Sequence, residues 1–235
     1  MPVHIHPTAA LAPRALLPGD PGRALALAQL ALSDPKMFNH NRGLWGYTGI
    51  AADGEPLTIQ STGMGGPSAA IVMEELCDLG LQRAIRVGTC GALAAGLGLG
   101  DLVVADAALA ADGTSRALGA GARVMADEGL VAALHDAAGD GARIGAVASS
   151  DLFYDRDRDR MAGWLDAGAL AVEMEAAALL RVAELRGVRA GCVLLVSDVF
   201  EHGRRRRLED DALALAAERL GEVGAAALAR PSASS

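Results

Sequence analysis

The stretch Ala15-Leu16-Leu17-Pro18-Gly19-Asp20-Pro21-Gly22-Arg23 reads as a short apolar strand turning directly into a helix. Asp20 suits the N-cap, and Pro21 suits the first turn because proline lacks the N–H that a helix start leaves unpaired. The helix is predicted to reach about Leu32, so this first strand-to-helix corner carries Arg23. Outward from it, strand and helix signals alternate. Residues 44–51 and 56–62 read as a hairpin around Asp53-Gly54, a type I′ turn signal. Gly63-Met64-Gly65-Gly66-Pro67-Ser68 opens a helix in which Val72, Leu76 and Leu79 keep helical spacing. A strand over 84–87 is expected to end at a Gly88-Thr89-Cys90-Gly91 corner. Strands are also predicted at 102–109, 144–148, 169–172 and 190–196, the last stopping at Ser197-Asp198. Helices are predicted near 128–138, from about Met174 to Arg186, and over roughly 208–228, with 231–235 frayed. The strands are wholly apolar rather than alternating, as in an α/β sheet covered on both faces. No linker or repeat divides the chain, so residues 1–235 are read as one domain.

Composition narrows the classes of partner. The chain has 235 residues, 51% hydrophobic and 21% charged, enough for one well-buried core. A net charge of −8 argues against nucleic acid or an anionic membrane as a general partner, since both need a broad positive field. Positive charge is carried almost entirely by arginine, with Lys36 the only lysine. Cys77, Cys90 and Cys192 are odd in number and lack CxxC spacing, which points to a reducing compartment. No signal pattern and no apolar run of about 18 residues is present, so a cytoplasmic location is expected.

Three arginine-centred segments, Gly19-Asp20-Pro21-Gly22-Arg23, Asn41-Arg42-Gly43 and Arg86-Val87-Gly88-Thr89-Cys90-Gly91, together can build an oxyanion site. Each sets a guanidinium beside glycines that expose backbone N–H groups. A second cluster is acidic. Val172-Glu173-Met174-Glu175 puts carboxylates where a strand gives way to a helix. Glu175 reads equally as a first-turn residue stabilised by the helix dipole. Asp198 ends an apolar strand, where burial would raise its pKa and let it deliver a proton.

These residues resemble the family of purine nucleoside and uridine phosphorylases. The resemblance rests on Leu17-Pro18-Gly19-Asp20-Pro21-x-Arg23, Arg42-Gly43, the Gly63 to Ser68 segment, Arg86 to Ala92, Asp151-Leu152-Phe153-Tyr154, Val172 to Ala176 and Ser197-Asp198. It implies one α/β domain around a mixed, partly barrel-like sheet, and commonly a hexamer built as a trimer of dimers. It also implies roles. Gly19, Arg23, Arg86 and Thr89 would hold phosphate, with Arg42 reaching it from the dimer partner. His4 would approach the sugar 5′-hydroxyl, again from the partner. Met64, Met174 and Glu175 would contact ribose, Phe153 would face the base, and Val172, Glu173 and Ser197 would border it. Asp198 would protonate the purine at N7 as it leaves. No metal or cofactor is implied, because guanidinium groups supply the countercharge; His4 and His6 have no carboxylate or Cys at ligand spacing.

Departures from the family pattern discriminate among its branches. Uridine phosphorylases carry a Gln-x-Arg pair after the Phe-Tyr, where this chain has Asp157 and Asp159, and an Arg where Asp198 stands. Thr89 and the stretch from Ser61 to Ser68 look closer to the uridine branch, but serve phosphate and fold rather than base choice. Arg156, Arg158 and Arg160 read as a solvated alternating-charge segment. Purine enzymes also bring an arginine over the acid from downstream. Here the run Arg204 to Arg207 either supplies it, Arg207 being the nearest choice, or is a solvated basic turn. Nucleosidases of the same fold lack the phosphate arginines, so Arg23, Arg42 and Arg86 argue against hydrolysis. The Gly96-Leu97-Gly98-Leu99-Gly100 run lacks the context of a dinucleotide site and reads as a loop feeding the strand at Leu102. The expected reaction is phosphorolysis of purine ribonucleosides, 6-oxo and 6-amino.

Overall fold

The computed structural model describes residues 2–155, 157–201 and 204–229, with the backbone alone at Glu201 and Arg204. Arg156 and the predicted frayed tail lie outside the described residues. Strand β1 (Arg14–Leu17) is wholly buried and feeds α1 (Pro21–Ala31), whose N-cap Asp20 accepts from the Arg23 N–H. Then follow β2 (Ser33–Asn39), a 3₁₀ turn at Asn41–Gly43, β3 (Gly46–Ile50), β4 (Pro56–Gln60) and α2 (Gly66–Asp78). The middle of the chain supplies β5 (Arg83–Ala92), β6 (Leu102–Ala110), α3 (Gly113–Ala117), β7 (Arg123–Met125), α4 (Glu128–Ala138) and β8 (Arg143–Ser149). Last come α5 (Arg158–Asp166), β9 (Ala169–Glu173), α6 (Ala176–Arg186), β10 (Arg189–Glu201), β11 (Arg204–Arg207) and α7 (Asp210–Ala229).

One mixed sheet joins these strands in the order β11-β10-β6-β8-β9-β5-β1-β4-β3-β2, with β7 on β6. Because β10 also pairs with β5, the strands β5, β10, β6, β8 and β9 close into a five-stranded barrel. The alternation of strands and helices therefore builds an α/β fold with a partly closed sheet. Helices cover both faces, which is why the central strands β6, β8 and β10 are largely apolar: Val103, Ala105 and Val147 fall in one core cluster and Val104, Val193 and Leu195 in another. Among the described residues no helix is long and apolar enough to cross a membrane.

The longest strands depart from expectation at the places that carry candidate residues. β5 does not stop at Val87; Gly88 to Gly91 continue it because they pair with β10 from Leu194 to Asp198. β10 likewise runs past Ser197-Asp198 to Glu201, with a register shift between Val196 and Asp198. The Asp53-Gly54 connection is not a two-residue type I′ turn. Within the five-residue connection 51–55 Gly54 alone has positive φ, and its N–H donates to the Ala51 C=O. Gly96 to Gly100 is a loop between β5 and β6, as read.

Candidate active site

The candidate residues gather where β1, β4, β9 and β10 run out, along the second half of β5. The loops after β1 and β4 are stitched together, Thr62 N–H to Pro18 C=O at 2.9 Å and Gly63 N–H to Gly19 C=O at 3.0 Å. A side chain at Gly19 would put its Cβ 3.1 Å from the Gly63 carbonyl, so this close approach favours glycine. One helical turn on, Arg23 is half-buried. Burial, and then the like charges of Arg86 and Arg207, lower its pKa against the opposing pull of Asp20. The fold has thus brought three cations close enough to repel one another, a field that favours an anion.

Arg86 is 3% exposed and held by two carboxylates. Its Nε donates to Glu173 Oε2 at 2.9 Å and its Nη2 reaches Glu175 Oε2 at 2.5 Å. Burial would disfavour the guanidinium charge, but Glu175 and Glu173 outweigh it and hold the pKa above the ordinary arginine value. Glu173 is saturated: it also accepts from the N–H groups of Glu175 and Ala176 and from the Ser149 hydroxyl. Glu175 is different. It occupies the N-cap position of α6 without capping it, so the helix-dipole reading does not account for its carboxylate. Instead Oε1 accepts from the Gly65 N–H at 2.6 Å. Burial, reinforced by Glu173, pushes the Glu175 carboxyl above its usual range against the pull of Arg86. Thr89 lies half-buried on β5 opposite Leu195.

Asp198 is 5% exposed beside the irregularity in β10. Ser197 Oγ donates to its Oδ2 at 2.7 Å, Arg205 Nε donates to its Oδ1 at 2.7 Å, and Arg207 Nη1 stands 3.5 Å from Oδ2. The Arg204 to Arg207 run is neither helix nor solvated turn but β11, paired antiparallel with β10 so that Asp198 lies opposite Arg207. Arg205 was not singled out by sequence, although it makes the shorter contact. The available signal is its spacing of two from Arg207, which puts both on one face of a strand. The Arg205 guanidinium also lies 4.5 Å over the Phe153 ring, a cation–π contact that links the acid to the exposed aromatic. Val172 pairs with Gly91, and a Cβ there would lie 3.5 Å from Val172 and 4.0 Å from Asp198. Met64 and Met174 line a cleft of about 650 Å³ with Gly65, Pro67 and Asp151.

Two candidates stand apart from this group. His4 is in the N-terminal arm, bonded to Glu75 of α2, and Arg42 is exposed in the 3₁₀ turn with φ of 57°. Among the described residues, neither contacts Arg23, Arg86 or Asp198 of its own chain. Such a backbone angle costs an arginine roughly 1–2 kcal/mol. The turn is held by buried Asn39 and Gln60, whose amide groups donate to Leu44 C=O at 2.6 and 2.9 Å. Arg158 and Arg160 are exposed at the start of α5, where Asp157 caps the helix.

Comparison with known proteins places the chain in a family. The profile of the phosphorylase superfamily matches residues 13–229. A guanosine phosphorylase from Halorubrum lacusprofundi is 37% identical over 201 residues, 84% of this chain and 83% of that protein. A purine nucleoside phosphorylase DeoD-type from Clostridium beijerinckii is 38% identical over 218 residues, 89% of this chain and 91% of the relative. Its counterpart from Geobacillus kaustophilus is 37% identical over 217 residues, again 89% and 91%.

Proposed function

Because the chain belongs to the phosphorylase superfamily, we propose that it catalyses the reversible phosphorolysis of purine ribonucleosides to free base and ribose 1-phosphate. The relatives named above support the substrate class. The observation that carries the reading is the proximity of Arg23 to Arg86, itself paired with Glu175, together with a buried Asp198 held by Arg205.

In the proposed reaction a phosphate oxygen attacks C1′ of ribose while the C1′–N9 bond breaks and its electron pair passes to the base. Arg23 and Arg86, with Gly19 and Thr89, hold the phosphate; fixed orientation of this kind is worth up to about 7–11 kcal/mol. Glu175 accepts from the 2′- and 3′-hydroxyls, and Met64 and Met174 border the sugar. Phe153 faces the base, with Val172 and Ser197 around it; Glu173, at the end of the same strand as Val172, borders that space through its backbone while its carboxylate fixes Arg86. Asp198, which must enter this step protonated, gives its proton to N7, a contribution of about 10² to 10⁴ in rate. Arg205 then stabilises the carboxylate that this transfer creates, with Arg207 as a second, more distant cation. No cofactor takes part. One domain of the chain does all of this, but each site is completed by Arg42 and His4 of a dimer partner, in a trimer of dimers in the cytoplasm.

The test is turnover of inosine, guanosine, adenosine and uridine with and without phosphate. The purine nucleosides should release base only when phosphate is present. Base release without phosphate would establish a nucleosidase instead, and uridine as the best substrate would overturn the purine reading.

A further inference from the structure

The N-terminal arm, which has no regular secondary structure, is anchored by one carboxylate about seventy residues away in sequence. Glu75 on α2 accepts the N–H of Val3 at 3.0 Å, of His4 at 2.9 Å and of Ile5 at 2.7 Å. Three successive backbone donors on one anion already suffice to hold the arm, and Ile5 is fully buried beneath it. A fourth donor exceeds that need: the His4 ring, with Nδ1 2.7 Å from Glu75 Oε1.

Burial would raise the Glu75 carboxyl, but the donors of Ile5, His4 and Val3 outweigh it and hold it at about 2. At neutral pH Glu75 is therefore a carboxylate that only accepts, so His4 Nδ1 must carry a hydrogen. In the neutral ring this leaves the lone pair on Nε2, at the far end of an imidazole that is 27% exposed. The arm is also tied to the turn bearing Arg42. Asn41 Nδ2 donates to His4 C=O at 2.9 Å, and His6 N–H donates to Asn39 Oδ1 at 2.9 Å.

We propose that Glu75 is the positioning residue of His4: it selects the tautomer whose Nε2 accepts a hydrogen bond, and holds that nitrogen beside the Arg42 turn so both are presented to the neighbouring subunit. The proposal rests on the reading that His4 meets the substrate 5′-hydroxyl. A purely structural clamp would need the backbone contacts alone and would have no bearing on the tautomer.

The experiment compares the parent with Glu75→Gln, His4→Ala and the double variant on inosine and on 5′-deoxyinosine, which lacks the 5′-hydroxyl. A hydrogen bond of this kind is worth about tenfold. Glu75→Gln and His4→Ala should each lower kcat/KM for inosine by about tenfold, chiefly through KM, and leave 5′-deoxyinosine nearly unchanged. The double variant should be no worse than His4→Ala. ¹⁵N spectra of the His4 ring should show the Nδ1–H tautomer in the parent and a mixture in Glu75→Gln. If His4→Ala shows the substrate-dependent loss while Glu75→Gln shows none, or lowers both substrates alike with the tautomer unchanged, the positioning role is overturned alone. If His4→Ala affects neither substrate, the 5′-hydroxyl reading falls and takes this role with it.

Discussion

Gly88 has no side chain because Arg86 uses the space. The two are separated by one residue on β5 and so share a face of the strand, and a Cβ on Gly88 would lie 2.7 Å from Arg86 Nη2 and 2.8 Å from its Cζ. An exposed arginine would swing aside. Arg86 is buried between Glu173 and Glu175 and has nowhere to go. Gly88→Ala is therefore expected to force the guanidinium off its carboxylates, at about 1–3 kcal/mol for overpacking. Thermal unfolding should move to lower temperature, and KM for phosphate should rise at least severalfold; a variant with both unchanged would show that Arg86 can repack freely. At this scale the sequence was informative wherever a charge followed an apolar run, as with Glu175 after β9 and Asp198 within β10. It was silent about Ser149, whose hydroxyl completes the shell of Glu173, because a small polar residue at the end of an apolar strand looks like any turn residue.

Elements whose interior is apolar were legible from pattern, and elements whose residues face water were not. β2 contains Asp34, Pro35 and Lys36, and its first five residues are exposed, so it lacks the apolar run that identifies a strand. β11 is four arginines, which sequence patterning assigns to a basic turn; yet a strand at the end of the sheet is where charge is suited, since it blocks edge pairing with other chains. The pairing of β10 with β11 decides which arginine serves Asp198. Residues opposite each other across a hairpin are neighbours, so Arg207 is brought close, but Arg205 makes the hydrogen bond and packs on Phe153. Arg205→Ala should lower kcat for inosine by about tenfold or more, in line with loss of a charged hydrogen bond worth about 1.5–3 kcal/mol. Arg207→Ala should cost less. The reverse order in steady-state kinetics would show that the two exchange places when the nucleoside binds.

At the scale of the whole molecule, local signals end. Helix and strand alternation announces an α/β fold, but closure depends on β5 pairing with both β9 and β10, contacts between segments about eighty and a hundred residues apart that no periodicity encodes. Closure explains why the glycine segment of β5 is a strand rather than a corner: β10 pairs with it from Gly88 to Gly91, and β9 takes up its other edge at Gly91. The same map leaves His4 and Arg42 on elements that contribute nothing to the barrel, tied to each other through Asn41 and away from the residues around Asp198. If the neighbouring subunit uses them, defects in the two groups belong to different sites. Asp198→Ala and Arg42→Ala should each be nearly inactive alone. Co-expressed, they form mixed dimers in which one site carries both defects and the other carries none. Random pairing makes about half the dimers mixed, each with one intact site, so about one quarter of the parent activity should return. Activity no higher than the mean of the two variants would show that Arg42 acts within its own subunit, and the shared-site reading would fall.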